Sequence, residues 1–93
     1  MNDLDDRLAA LRQSFIDQAA TQATQLRAAA IGEDRAALRK LSHSLSGRAG
    51  MFGFTHLGEA AQALEEAIDA AATDYLSLAE QLIQLLDQTA NGK

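Results

Sequence analysis

His43 is the residue in this sequence whose type and neighbours are best suited to chemistry. On a helix, Arg39 and Lys40 would lie one turn before it, and Ser46 and Gly47 one turn after it. A neutral imidazole is nucleophilic near physiological pH, and its charge is easily tuned. A phosphoryl group accepted by this ring would carry negative charge, which Arg39 and Lys40 could offset. The pattern is therefore suited to accepting a phosphoryl group.

The helix predicted around His43, over about residues 34–52, has one apolar face. At about 100° per residue, its apolar positions fall within roughly 60° of one another. These positions are Leu38, Leu41, Leu45, Ala49 and Phe52. His43 lies about 150° from the centre of this face, so we expect its side chain to be exposed to solvent.

Two glycines, Gly47 and Gly50, follow His43 on the same predicted helix. Glycine inside a helix costs about 0.5–1 kcal/mol relative to alanine, so these positions require an explanation. We interpret them as open backbone that lets a partner's active site approach the histidine. Close packing of this helix against a neighbouring helix is the alternative interpretation.

Three further helices are predicted, because apolar residues recur every three or four positions along most of the chain. They cover about residues 3–30, 55–71 and 73–91, with Thr55 and Thr73 as predicted N-caps. The positions predicted to face inward are Leu4, Leu8, Leu11, Phe15, Ala19, Ala23 and Leu26, then Leu57, Ala61, Leu64, Ile68 and Ala71, then Tyr75, Leu78, Leu82 and Leu85. Short loops favour antiparallel neighbours, so the predicted fold is an all-α, antiparallel four-helix bundle, formed by residues 1–93 as one domain.

Composition and charge narrow the possible partners. The 93 residues carry a net charge of −5, which argues against nucleic acid as a partner. The stretch from Arg35 to Gly58 nevertheless holds four of the eight basic residues and no acidic residue, which suggests an anionic partner group. The lack of cysteine excludes disulfide and thiolate chemistry, and no metal-binding motif occurs. An acidic N-terminus and the lack of a long apolar run predict a cytoplasmic protein that does not enter a membrane.

The residues around His43 resemble the signature of the histidine phosphotransfer (HPt) domain family. In that signature, the histidine is followed by x-Leu-(Lys)-Gly, by a second glycine ten residues after the histidine, and by a helix ending in Leu-Glu. The matching residues here are His43-Ser44-Leu45-Ser46-Gly47, Gly53, Leu57 and Leu64-Glu65. The family often has lysine three residues after the histidine, where this sequence has Ser46. Arg39, Lys40 or Arg48 could take the place of that lysine, and we favour Arg39 and Lys40 because Arg48 lies off the face of His43 on the helical wheel.

This resemblance implies a phosphorelay intermediate with its histidine on an exposed face of the second helix. His43 would accept a phosphoryl group from a receiver-domain aspartate or a hybrid sensor kinase and pass it to the receiver domain of a response regulator. The family has no kinase activity and no independent turnover. The resemblance also implies that the chain needs no cofactor, because the receiver supplies the Mg²⁺, and we expect a monomer.

Other interpretations of the sequence stay open. The bundle could be a binding module that docks on a kinase or receiver domain and regulates it without being phosphorylated, or a structural adaptor that dimerises. His43 could be an ordinary surface histidine. We interpret His56 as a surface residue, Glu65 and Glu66 as a polar helix face, and Arg48 as a solvated or partner-contacting residue.

Overall fold

The protein is an antiparallel four-helix bundle. The computed structural model describes residues 3–92. Its helices are α1 (Asp3–Ile31), α2 (Arg35–Met51), α3 (Thr55–Asp69) and α4 (Tyr75–Ala90), and residues 3–92 contain no strand. The all-α bundle predicted from the sequence is confirmed. Residues 1, 2 and 93, which belong to the predicted domain, lie outside the described residues.

The helices pair unequally around the bundle. α2 packs extensively on α3, and α1 on α4, whereas α1 and α2 meet over a much smaller area. Within residues 3–92, no helix is long and apolar enough to cross a membrane.

The core combines large side chains with alanine. The large side chains that are almost completely buried are Leu26, Leu38, Leu45, Leu64, Leu82, Ile83 and Leu86. The alanines with no exposed surface are Ala19, Ala23, Ala49, Ala61 and Ala79. Each fully buried leucine contributes about 1.5–3 kcal/mol, and the alanines let the helix backbones approach closely.

The first part of α1 differs from the prediction. Leu4, Leu8 and Leu11 were expected to face inward, but they are 61%, 43% and 52% exposed. With 29 residues, α1 is about 43 Å long, whereas the 16 residues of α4 span only about 24 Å. The apolar stripe of α1 therefore continues past the end of the helices that it packs against, and it becomes buried only from Phe15 onward.

The boundaries of α3 and the start of α4 also differ from the prediction. α3 ends at Asp69, and Ala71, which was expected in the core, is exposed with φ of 56°. Neither predicted threonine cap is present: Phe54 and Asp74 are the N-cap residues, and neither side chain makes a capping bond.

Five positions predicted to be in the core are only partly buried, namely Leu41, Phe52, Ile68, Leu78 and Leu85.

The turn between α2 and α3 fixes how these two helices lie against each other. Gly53 has φ of 84°, a left-handed conformation that glycine adopts without the steric cost of a side chain. The Phe54 amide then donates to the Ala49 carbonyl at 2.9 Å, and the Gly53 amide to the Gly50 carbonyl at 3.3 Å, which is the Schellman ending of a helix. The Phe54 ring stacks on Phe15 with centroids 5.1 Å apart, which anchors the turn to α1.

Candidate functional site

The side chain of His43 stands on the outer face of α2. It is 70% exposed, whereas Leu38, Leu45 and Ala49 on the opposite side of α2 have no exposed surface. The helical-wheel prediction that this histidine faces solvent agrees with the structure. Ser42 is also completely buried, and its hydroxyl donates to the Arg39 carbonyl at 3.1 Å, so the buried face is wider than the apolar residues alone indicate.

Gly58 allows α3 to lie close to α2 beside this site. A Cβ atom at Gly58 would meet the Ser46 carbonyl oxygen and the Gly50 amide nitrogen, each at 3.5 Å. Alanine would fit at that distance, but a longer side chain would meet the backbone of α2. Sequence reasoning did not single out this glycine.

Glu65 of α3 contacts the imidazole directly. Its Oε2 lies 2.7 Å from His43 Nδ1, and its side chain is only 15% exposed. An ionised carboxylate can only accept hydrogen bonds, so Nδ1 must carry the proton and donate it. In the neutral ring the nucleophilic lone pair is therefore on Nε2, which has no hydrogen-bond partner among residues 3–92. Glu65 thus determines which ring nitrogen is left without a hydrogen bond.

Arg39, one turn before His43 on α2, contacts Glu65 and a second acidic residue of α3, Asp69. Its Nε lies 2.6 Å from Asp69 Oδ1, and its Nη2 lies 3.6 Å from Glu65 Oε2. The hydrogen bond to Asp69 raises the pKa of the Arg39 guanidinium, and the same bond lowers the pKa of the Asp69 carboxyl. Partial burial opposes this shift of the Asp69 pKa, and the positive charge of Arg39 adds to it. Two residues of α2 spaced by four thus face two residues of α3 with the same spacing.

The other predicted phosphate neighbours point in different directions. The Ser46 hydroxyl donates to the His43 carbonyl at 3.0 Å, which ties it to the backbone of the helix. Lys40 lies on the side of α2 that faces α1. The structure therefore brings Arg39 into contact with the acidic cluster at His43, but it does not bring Arg39 and Lys40 together as one patch.

Sequence reasoning missed the role of two acidic residues and the packing of one basic residue. Glu65 was interpreted as part of a polar helix face, and Asp69 was not singled out, although their spacing of four places them on one strip of α3. Arg48, interpreted as solvated or partner-contacting, is half-buried. Its Nη2 donates to Gln22 Oε1 at 3.1 Å, and its guanidinium lies 6.0 Å from the centre of the Phe15 ring.

The second histidine has a different environment. The side chain of His56 is 92% exposed at the start of α3, and its Nδ1 lies 3.7 Å from Glu59 Oε1, beyond hydrogen-bonding distance. Among residues 3–92, none orients this ring as Glu65 orients His43. This agrees with the interpretation of His56 as a surface residue.

Open space surrounds both glycines that follow His43. A Cβ atom placed at Gly47 or at Gly50 would meet no atom within 4 Å. Neither glycine is therefore required by close helix packing in this bundle. That geometry supports the interpretation that these glycines leave the surface beside the imidazole free of side chains, so that a partner can approach it.

A larger side chain at position 47 is expected to reduce phosphotransfer without reducing the stability of the protein. Gln is a better helix former than Gly by roughly half a kcal/mol, so Gly47→Gln should leave the urea midpoint unchanged or slightly raised. Phosphotransfer should nevertheless fall, because a side chain one turn from His43 would stand in the partner's path. Gly47→Ala, which adds only one carbon, should reduce transfer less. A loss of about 1–3 kcal/mol in the Gln variant would instead mean that the position is tightly packed.

Comparison with models of known protein families identifies the family of this chain. The family model of the Hpt domain matches residues 10–92. Because the match covers most of the sequence, the chain belongs to the histidine phosphotransfer domain family. Searches of curated proteins and of solved structures returned no match. Hpt domains carry phosphoryl groups in two-component phosphorelays, in which they interact with receiver domains and histidine kinases.

Proposed function

We propose that this chain is a phosphorelay intermediate in which His43 Nε2 is the phosphoacceptor. The single observation that supports this best is the geometry of the imidazole. The ring is 70% exposed, its Nδ1 is held 2.7 Å from a nearly buried carboxylate, and its Nε2 has no partner among the described residues. A partner can therefore reach a histidine whose tautomer and ring orientation are already set.

The transfer step conserves atoms and charge. The lone pair of His43 Nε2 attacks the phosphorus of a receiver's aspartyl phosphate. The bond between that phosphorus and the aspartate oxygen breaks, and its electron pair returns to the carboxylate. The proton on Nδ1 remains in its hydrogen bond to Glu65, where the carboxylate stabilises the positive charge that develops on the ring. The reverse step, on a second receiver, passes the group to a response regulator.

The chain's own contribution is to present the histidine. We propose that the Mg²⁺ which shields the phosphoryl oxygens is bound by the receiver domain, and that this chain has neither kinase activity nor independent turnover. Hpt domains as a class are phosphotransfer modules, which supports this division of labour.

The function is tested by transfer of radiolabelled phosphate from a phosphorylated receiver domain. The chain should gain label as the receiver loses it, and the labelled product should be labile in acid and stable in alkali, as a nitrogen–phosphorus bond is. A chain that binds the receiver without gaining label would instead be a regulatory binding module. Label that survives acid would place the phosphate on an oxygen atom and contradict the proposal.

Arg39 and Lys40 are expected to affect transfer only modestly. Each lies on a solvated surface, where ionic interactions are weak and are screened by salt. Arg39→Ala and Lys40→Ala should therefore slow transfer a few-fold, more strongly at low salt, without unfolding the protein.

A second exposed ion pair provides a matched control for Arg39→Ala. Arg27 lies 3.0 Å from Asp87, and these side chains are 49% and 46% exposed, against 48% and 50% for Arg39 and Asp69. Arg27→Ala should cost similar stability and leave transfer unchanged. Equal transfer rates in the double variant of Arg39 and Lys40 and in the parent would show that these cations serve another purpose.

A further inference from the structure

The groove between α1 and α2 combines polar side chains of α1 with two cations and two apolar residues, Ala37 and Leu41, of α2. It has a volume of about 650 Å³, and its floor and walls on the α1 side come from Gln18, Thr21, Gln22 and Gln25. These four positions follow the i, i+3, i+4, i+7 spacing of one helix face. Because α1 and α2 pack less closely than the other neighbouring helices, the groove between them stays open.

Both charged residues that line the groove are basic. Lys40 and Arg48 contribute from α2, and no acidic residue is among the lining residues. The other two basic residues of α2 have different contacts: Arg39 pairs with Asp69, and the Arg35 guanidinium lies over the Tyr75 ring at 4.7 Å. On a protein of net charge −5, the groove is therefore a local positive region.

Arg48 also has an unused hydrogen-bond donor. Its Nε is buried and has no hydrogen-bond partner among the described residues, although its Nη2 donates to Gln22. Because the Nε atom itself is buried, an acceptor that enters the groove would meet the rest of the Arg48 guanidinium and Lys40. A carboxylate is the acceptor that suits a guanidinium, because its two oxygens match the geometry of the N–H groups.

The groove adjoins the phosphoacceptor. Ser44, the residue after His43, lines it, and Lys40 precedes His43 by one turn of α2. The groove is therefore within reach of a partner domain that covers His43. We propose that the groove formed by α1 and α2 receives an acidic side chain of the receiver domain that exchanges the phosphoryl group with His43. This inference rests on the proposed function, and it adds the chemical feature by which the partner is recognised.

Two pairs of substitutions test the role of the groove. Gln18→Glu with Gln25→Glu adds two carboxylates to the α1 side of the groove, which would occupy the cations and repel an acidic partner. Gln81→Glu with Gln88→Glu is the matched control, because it makes the same chemical change with the same spacing at exposed positions of α4. Neither pair touches the core, and unchanged urea midpoints would confirm that both variants fold.

The measurements are the affinity for a receiver that phosphorylates the wild-type chain, and the transfer rate when that receiver is saturating. The groove variant should bind at least tenfold more weakly, with a smaller difference at high salt, while its rate at saturation stays within threefold of the wild type. The control variant should bind within twofold of the wild type.

Other outcomes would overturn the inference in distinct ways. Equal weakening by both variants would show a general effect of net charge, and unchanged binding by the groove variant would show that the groove is not used. Saturable binding of inorganic phosphate at Arg48 with unchanged receiver affinity would assign the groove to a small anion instead. A wild-type chain that accepts label from no receiver would overturn the proposed function itself.

Discussion

The His43→Gln variant is expected to gain no label above background from a phosphorylated receiver, a loss of at least about a hundredfold. Glutamine keeps a polar side chain but has no nucleophilic lone pair on nitrogen, so the bond to phosphorus cannot form. The side chain is 70% exposed and the glutamine amide can still donate to Glu65, so the free energy of unfolding should change by less than about 0.5 kcal/mol. Labelling and a urea melt on the same preparation measure both effects.

The chain offers a matched control for this experiment. His56 is the only other histidine, and it is 92% exposed, so His56→Gln makes the same chemical change at a surface position. It should accept label at the rate of the parent. Retention of label by His43→Gln, or loss of label in His56→Gln, would overturn the assignment of the phosphoacceptor.

The Leu45→Ala variant is expected to lose about 2–5 kcal/mol of stability. Leu45 lies two residues after His43 on the opposite face of α2 and has no exposed surface. Truncation removes buried apolar area and leaves a cavity that the surrounding helices fill only in part. A urea melt measures the change, which is a large fraction of the stability of a domain of this size.

Ser44→Ala provides the comparison on the neighbouring residue. Ser44 is exposed, so its truncation should change stability by less than about 0.5 kcal/mol. The difference between the two variants tests which side of α2 faces the core. Equal and small effects would mean that α2 is rotated and that His43 is not on its outer face.

The face of α2 could be predicted from the sequence because it depends on local spacing alone. Leu38, Leu45 and Ala49 fall on one side of a helix wherever that helix lies in the fold, and His43 must then lie on the other side. The turn at Gly53 was also predictable, since glycine after an apolar run is a common helix ending.

The contact between His43 and Glu65 could not be predicted in the same way. The contact joins residues 22 positions apart and depends on the position of α3 along the axis of α2. That register is set by the left-handed conformation of Gly53 and by the close approach at Gly58, which are properties of two packed helices. For the same reason, the sequence did not indicate that Arg39 pairs with Asp69.

The incorrect prediction that the first part of α1 is buried has a related cause. A helical wheel shows that Leu4, Leu8 and Leu11 share one stripe with Phe15, but it does not show where the neighbouring helices end. The groove between α1 and α2 could not be predicted either, because it depends on how these two helices lie relative to each other.

The most direct test of the central claim is to identify the phosphorylated atom by long-range proton–nitrogen NMR of the imidazole rings in the labelled chain. We predict one phosphohistidine, at His43, with phosphorus on Nε2 and the proton on Nδ1, where Glu65 accepts its hydrogen bond. Phosphate on Nδ1 of His43, on His56 or on the hydroxyl of Ser44 or Ser46 would contradict it.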